Sequence, residues 1–376
     1  MSPGMTSPLA SLHTEEELLL ITGSNGTSST EFYPSTSGCS LPPLPSPRPG
    51  HIAFLTAGSD STVAVCGGGG VVIRRSQGWG DDPTTHEISL YWQQNLTTSC
   101  LVLDMNNKEW DETRMGNMAH QKDFVVTLPE VGVFAFAFGG RSSEFLPAGS
   151  MEWQKGPTLS VYPSCGVAIS ATSFLIINGV SGVIHEFDAT ISGPTSSEGW
   201  VAEKWPNLKT ERGSDFSCSK VGQKVIISGG FHDDCDYGNY HDGTMDECQY
   251  PLPTTEILDL ITYKLTSGGE LHRPRHTFYL ATVRHLGQLK MFAIGGIGGN
   301  NGGPWSSKTP CVDNYLYENS ELDLGINCGV EEWVDDESRW EWKSYLGSQI
   351  SYFRSVELSS RLFGIVAVPK NLICPS

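Results

Sequence analysis

Six short apolar runs, each halted by glycine, constrain this chain more than any other feature. They are Leu18–Gly23, Thr62–Gly68, Val133–Gly140, Phe174–Gly179, Lys224–Gly230 and Met291–Gly296. An apolar run of this length reads as a strand buried on both faces. Glycine at its end lets the backbone turn with positive φ or pass close to a neighbouring strand. Six strands that end alike form an internal repeat, and a repeat sets the architecture before any single residue is weighed.

A second signal follows most glycine stops: two small hydroxylated residues, a glutamate, then apolar residues. It reads Ser29-Thr30-Glu31-Phe32, Ser142-Ser143-Glu144-Phe145, Thr254-Thr255-Glu256-Ile257 and, more loosely, Asn319-Ser320-Glu321-Leu322. The fourth repeat has His185-Glu186-Phe187, and the second has Thr98-Ser99-Cys100-Leu101 with cysteine in the glutamate's place. A further strand then carries Trp110, Trp153, Trp205 or Trp342. After it comes a turn with a basic residue, as in Pro47-Arg48 and Pro274-Arg275, that leads into the next glycine-ended strand.

The 42 Gly, 22 Pro, 10 Trp, 12 Tyr and 15 Phe suit many short strands joined by tight turns. No apolar run is long enough to span a bilayer. The net charge of −18 disfavours nucleic acid and anionic membrane surfaces, which attract basic patches. It reads as a solvated acidic surface.

Over roughly residues 18–370 this order resembles the kelch repeat: glycine pair, apolar strand, Trp, then Arg and often His. Repeats one and five lack the Trp, and repeat four has a single glycine. The resemblance implies an all-β, six-bladed propeller of four-stranded blades. Residues 1–17 are expected to be a disordered N-terminal segment, and residues 18–376 one propeller. The chain starts on the second strand of a blade and ends on Arg361–Val368, which has the pattern of a first strand. The C-terminal strand should therefore close the ring in the first blade, removing its open edges.

Within that architecture the repeated Glu31, Glu144, Glu186, Glu256 and Glu321, with Arg48, Arg212, Arg275 and Arg361, read as structural ion pairs that tie each blade together. His51, His120 and His276 begin equivalent strands and read as packing residues rather than metal ligands. Ten cysteines, none in a CxxC pair, fit disulfides better than zinc. By propeller topology the pairs are Cys66–Cys100, Cys165–Cys218, Cys235–Cys248, Cys311–Cys328 and Cys39–Cys374. Asn25 and Asn95 stand in glycosylation sequons. Cysteines and sequons favour an extracellular protein, although no signal peptide is visible; the alternative is cytoplasmic.

Three connections between second and third strands are long: 69–98, 231–253 and 297–317. They emerge on one face, and loops of this length are usually functional or disordered. They carry Trp79, Trp92 and Trp305 as aromatic anchors and Asp233, Asp234, Asp236 and Asp242 as negative charge. The expected function is non-enzymatic binding of a protein or glycan on this face by a monomeric propeller. One alternative is an enzyme, such as the radical copper oxidases that share the kelch-type fold. Their Cys–Tyr cross-linked cluster has no counterpart here, and GxSxG, HExxH and P-loop motifs are absent. Another is an intracellular kelch adaptor. No cofactor is expected, with calcium in the acidic loop 232–248 as a secondary possibility.

Overall fold

The computed structural model describes residues 16–23, 28, 30–33, 40–48, 50–58, 62–68, 72–75, 88–91, 97–104, 107–119, 124–137, 140–201, 204–213, 216–233, 249–276, 278–296, 330–344 and 364–374. They form six antiparallel sheets arranged as the blades of a propeller. From the axis outwards, blade two holds His51–Leu55, Val63–Gly67, Cys100–Asp104 and Glu109–Asp111. Blade three holds Phe124–Leu128, Gly132–Phe136, Ser143–Pro147 and Gln154–Lys155. Blade four holds Cys165–Ala168, Ser173–Ile177, Ile184–Asp188 and Trp200–Val201. Blade five holds Phe216–Val221, Lys224–Gly229, Thr255–Asp259 and Lys264–Ser267. Blade six holds Tyr279–His285, Gln288–Ile294, Val330–Val334 and Arg339–Ser344.

Blade one closes the ring from both ends of the chain. Gly364–Pro369 is its inner strand, paired antiparallel with Glu17–Thr22, which pairs in turn with Thr30–Tyr33. Leu18 lies opposite Val368 and Ile21 opposite Ile365, so the expected closure holds. The strand starts at Glu17, one residue inside the stretch expected to be disordered. Glu17 also accepts a bond from the Arg284 backbone N–H of blade six (2.7 Å).

The glycine-ended strands are second in every blade, covered on both faces by neighbouring sheets. That is why they read as unbroken apolar runs: Phe174–Ile177 and Val225–Ile227 are wholly buried. Each joint between blades has its own apolar cluster. Between blades three and four, Phe174 lies 4.9 Å from Phe134 and 5.1 Å from Phe187 between ring centroids. Such pairs add about 0.5–1.5 kcal/mol beyond area burial. Sheets converge near the axis, so side chains there shrink. A Cβ at Gly166, on the inner strand of blade four, would come within 2.7 Å of Val126 and 2.8 Å of Phe124.

The glycine stops have a steric cause. The chain leaving the second strand slips between the segments that enter its own and the next inner strand. A Cβ at Gly230 would lie 2.4 Å from the Arg212 carbonyl oxygen, and one at Gly179 would lie 1.7 Å from that of Gly213.

Two placements differ from the sequence reading. In blade two the register sets Cys100 opposite Cys66 and Leu101 opposite Val65, two residues before Gly67. Glu256 holds that position in blade five, opposite Ile227. Leucine, not cysteine, therefore stands in the glutamate's place. In blade four the outer strand carries Trp200; Trp205 lies beyond it, buried in the joint with blade five.

Candidate functional site at the loop-bearing face

In each blade the turns after the inner and third strands lie on one face. The connections after the second and outer strands lie on the other. The long insertions of blades two, five and six thus leave their second strands on the face of the segments carrying Arg48, Arg212 and Arg275. Two insertions leave the ring as antiparallel ribbons, Val72–Arg75 with Ile88–Tyr91 and Phe231–Asp233 with Gln249–Pro251.

Each arginine fastens the stem of the insertion in its own blade. Arg212 is fully buried, and its Nη1 donates to the carbonyls of Gly229 and Thr254, at 2.9 Å each, which are the two ends of insertion 231–253. Its Nη2 lies 3.9 Å from Glu256, whose Oε1 accepts the backbone N–H of Lys209 (3.1 Å) and Thr210 (2.9 Å). Burial pushes the Arg212 guanidinium down to about 10, with Glu256 opposing the shift.

Arg275 repeats the arrangement in blade six. Its Nη1 donates to the Gly295 carbonyl (2.9 Å) and its Nη2 to Glu331, and both side chains are sealed from solvent. Glu331 also accepts from the backbone of His272 and Arg273. Desolvation lowers the Arg275 pKa, while the Glu331 charge raises it. Glu331, which the sequence pattern did not single out, is thus a partner of Arg275, and Glu321 lies outside the described residues. Glu331 stands opposite Ala293, two residues before Gly295, which is the register of Glu256 in blade five.

Blade two lacks that glutamate and finds another. Arg48 Nη1 donates to the Ser99 carbonyl (2.9 Å) and Nη2 to Glu112 (2.7 Å), a residue just beyond the outer strand. Ser99 Oγ donates to the same carboxylate (2.6 Å), and Thr97 N–H closes the stem on the Gly68 carbonyl (2.7 Å). The Ser99 hydroxyl, then Arg48, hold the Glu112 carboxyl below its ordinary range. Nothing in the local pattern around Glu112 marks it, because the signal is the arginine left without its usual partner.

The other glutamates serve different contacts. Glu144 accepts the Ala119 backbone N–H (2.7 Å), whereas Glu186 accepts Lys204 Nζ (3.0 Å) and Trp205 Nε1 (2.9 Å). Neither touches an arginine in these contacts.

His51 is buried between blades one and two. Its Nδ1 donates to the Arg48 carbonyl and its Nε2 accepts from Thr22 Oγ1 (2.7 Å). Burial pushes its pKa down to about 4. The His276 ring meets Phe231 edge-on at 5.9 Å. Among the described residues no group of three His, Cys, Asp or Glu side chains could hold a metal ion.

Two disulfides are present as expected. Cys66–Cys100 joins the second and third strands of blade two, and Cys165–Cys218 joins the inner strands of blades four and five. Cys374 is disulfide-bonded as well. Its expected partner Cys39 lies outside the described residues, as do Cys235, Cys248, Cys311, Cys328, Asn25, Asn95, His120, Glu321 and Arg361. Trp79, Trp92, Trp305, Asp234, Asp236 and Asp242 lie outside them too. Asp233 is placed by its backbone in the ribbon of blade five, and Glu31 by its backbone in blade one, opposite Ile21.

Fold and face together define a class: a six-bladed β-propeller with three stem-clamped insertions on one face. No family model matches the chain. No curated protein matches it either. Among solved structures it is similar to one described as the structure of YjhT, at 11% identity and a TM-score of 0.46, over 73% of this chain and 82% of that one.

Proposed function

We propose that this protein is a non-enzymatic, extracellular propeller of the kelch type that binds a protein or glycan partner through its loop-bearing face. The arginine clamps carry the proposal. Three buried arginines are spent on the stems of the three long insertions. A fixed stem lowers the ordering cost of whatever the insertion binds. A rigid ring presenting variable loops is the usual division between scaffold and site.

Trp79, Trp92 and Trp305 supply anchors, and Asp233, Asp234, Asp236 and Asp242 supply charge. The partner therefore presents a basic or polar surface, and its binding weakens with salt. The glycine pairs with the Arg–Glu contacts support the kelch reading, and the cross-strand disulfides support an oxidising compartment. Calcium is the alternative use of loop 232–248, where it would stiffen the loop before binding.

The test is partner binding by a variant with insertions 69–98, 231–253 and 297–317 shortened. Loss of binding with an unchanged melting temperature is expected; retained binding overturns the assignment of the face. Binding and melting with calcium, with a chelator, and in Asp233→Asn/Asp234→Asn/Asp236→Asn separate the two uses of the acidic loop. Copper loading is expected to give neither oxidase turnover nor radical absorption.

A further inference from the structure

Blade four departs from its neighbours at one residue. Blades two, five and six end their second strands on two glycines; here Asn178 precedes Gly179. Gly179 cannot be replaced, because a Cβ would strike the Gly213 carbonyl, but Asn178 lacks the positive φ of Gly67, Gly229 and Gly295 at the same place and carries a side chain. Asn178 uses it for three bonds. Its Nδ2 donates to the Tyr162 carbonyl (2.6 Å), and its Oδ1 accepts from the backbone N–H (2.7 Å) and the hydroxyl (3.0 Å) of Ser181. Tyr162 lies on the segment entering the inner strand, and Ser181 in the turn after the second strand. One buried amide ties together two loops of the loop-bearing face.

Those loops hold apolar side chains out to solvent. Tyr162 is 49% exposed and Val180 is 62% exposed. The other large exposed apolar residues described, Ile191, Ile261, Tyr263, Leu286 and Leu289, sit at turns or strand ends of the opposite face. Arg141, from the turn after the second strand of blade three, places its guanidinium 4.9 Å from the Tyr162 ring centroid. It makes no ion pair among the described residues.

We propose that Tyr162, Val180 and Arg141 form a docking patch for a protein segment presenting an Asp or Glu carboxylate beside an apolar side chain. The proposal deepens the binding-module reading and rests on it. A single exposed apolar residue is ordinary on any surface. Here the backbone beneath two of them is fixed by Asn178, so little freedom is lost on binding. The ring holds the guanidinium in place, and its planar fork suits a carboxylate. Tyrosine and arginine are also the residue types on which binding energy concentrates.

A phage library of random short peptides selected on the intact protein tests this. One class of enriched peptides should carry an acidic residue next to an aliphatic or aromatic one. Tyr162→Ala and Val180→Ser, both at exposed positions, should each weaken them by about tenfold. Arg141→Glu should turn the selection towards basic peptides. Asn178→Gly should weaken binding while leaving all three contact residues present. No acidic peptides among those enriched on the intact protein, or acidic binders indifferent to Tyr162→Ala and Val180→Ser, would each overturn the patch; basic peptides that ignore both substitutions are those expected at the acidic insertions. The shortened-loop variant keeps the two readings apart. Acidic peptides that bind it and lose affinity with Tyr162→Ala uphold the patch even if the insertions prove dispensable. A partner lost with the insertions but untouched by Tyr162→Ala upholds the insertions alone.

Discussion

Arg275 and Glu331 form an ion pair with both side chains sealed from solvent, under the stem of the blade-six insertion. Removing one partner of such a pair strands the other charge. Arg275→Met should therefore cost about 3–5 kcal/mol in urea unfolding, and Arg275→Met/Glu331→Gln should recover part of it. Arg48→Met should cost only about 1 kcal/mol, since its partner Glu112 is 58% exposed. Equal costs at the two sites would show that burial does not govern these pairs.

His51 makes stability pH-dependent. Its pKa falls from an ordinary 6.5 to about 4 on folding, so between those values the unfolded chain binds more protons than the folded one. Stability then rises with pH through that window and is lost as pH falls from 6.5 towards 4. The full effect is about 3 kcal/mol, because each tenfold loss of proton affinity on folding is worth about 1.4 kcal/mol. Melting curves of wild type and His51→Gln across this window should diverge at high pH and converge at low pH. Parallel curves would refute a neutral buried imidazole.

The Cys165–Cys218 bridge spans 53 residues and joins two blades; Cys66–Cys100 spans 34 and lies within one. Loop-closure entropy gives about 3–4 kcal/mol for either when replaced by an alanine pair. Thiol labelling of the native protein followed by mass spectrometry should find Cys66, Cys100, Cys165 and Cys218 unreactive. Labelling at any of them without denaturant would contradict the framework.

Deleting residues 361–376 removes the inner strand Gly364–Pro369 and leaves Glu17–Thr22 as an exposed edge. Unfolding should shift to lower temperature in one cooperative step, because blade one then has a bare edge and its joint with blade two loses Val368 and Ile373. A truncated protein with an unchanged melting temperature would disprove closure by this strand.

Much of the ring was legible because its signals are local. A run such as Lys224–Gly229 announces a doubly covered strand, and the partner strands follow from repetition. Cys66–Cys100 and Cys165–Cys218 followed once strand order was known. What failed was register. Leu101 rather than Cys100 fills the glutamate position, and Glu331, which contacts Arg275, is not singled out by the pattern, because a long insertion hides where the third strand resumes. Outer strands are as short as Trp200–Val201, too brief for any period to appear, so Trp205 was misplaced. At the loop-bearing face the arginines were legible as structural residues but not as clamps on the stems, and Glu112, Asn178 and Tyr162 act through contacts between distant segments.

The clamps carry one more consequence. Arg212 grips the Gly229 and Thr254 carbonyls, atoms that every amino acid supplies, and asks nothing of the side chains between them. Whatever lies from 234 to 248 can be exchanged, lengthened or rewritten while the joinery beneath it, Phe231 against His276 included, stays the same. The ring is in this sense a socket, and its insertions are cartridges. Replacing one by a foreign segment of similar span should alter what the face recognises without a new solution for how the ring folds.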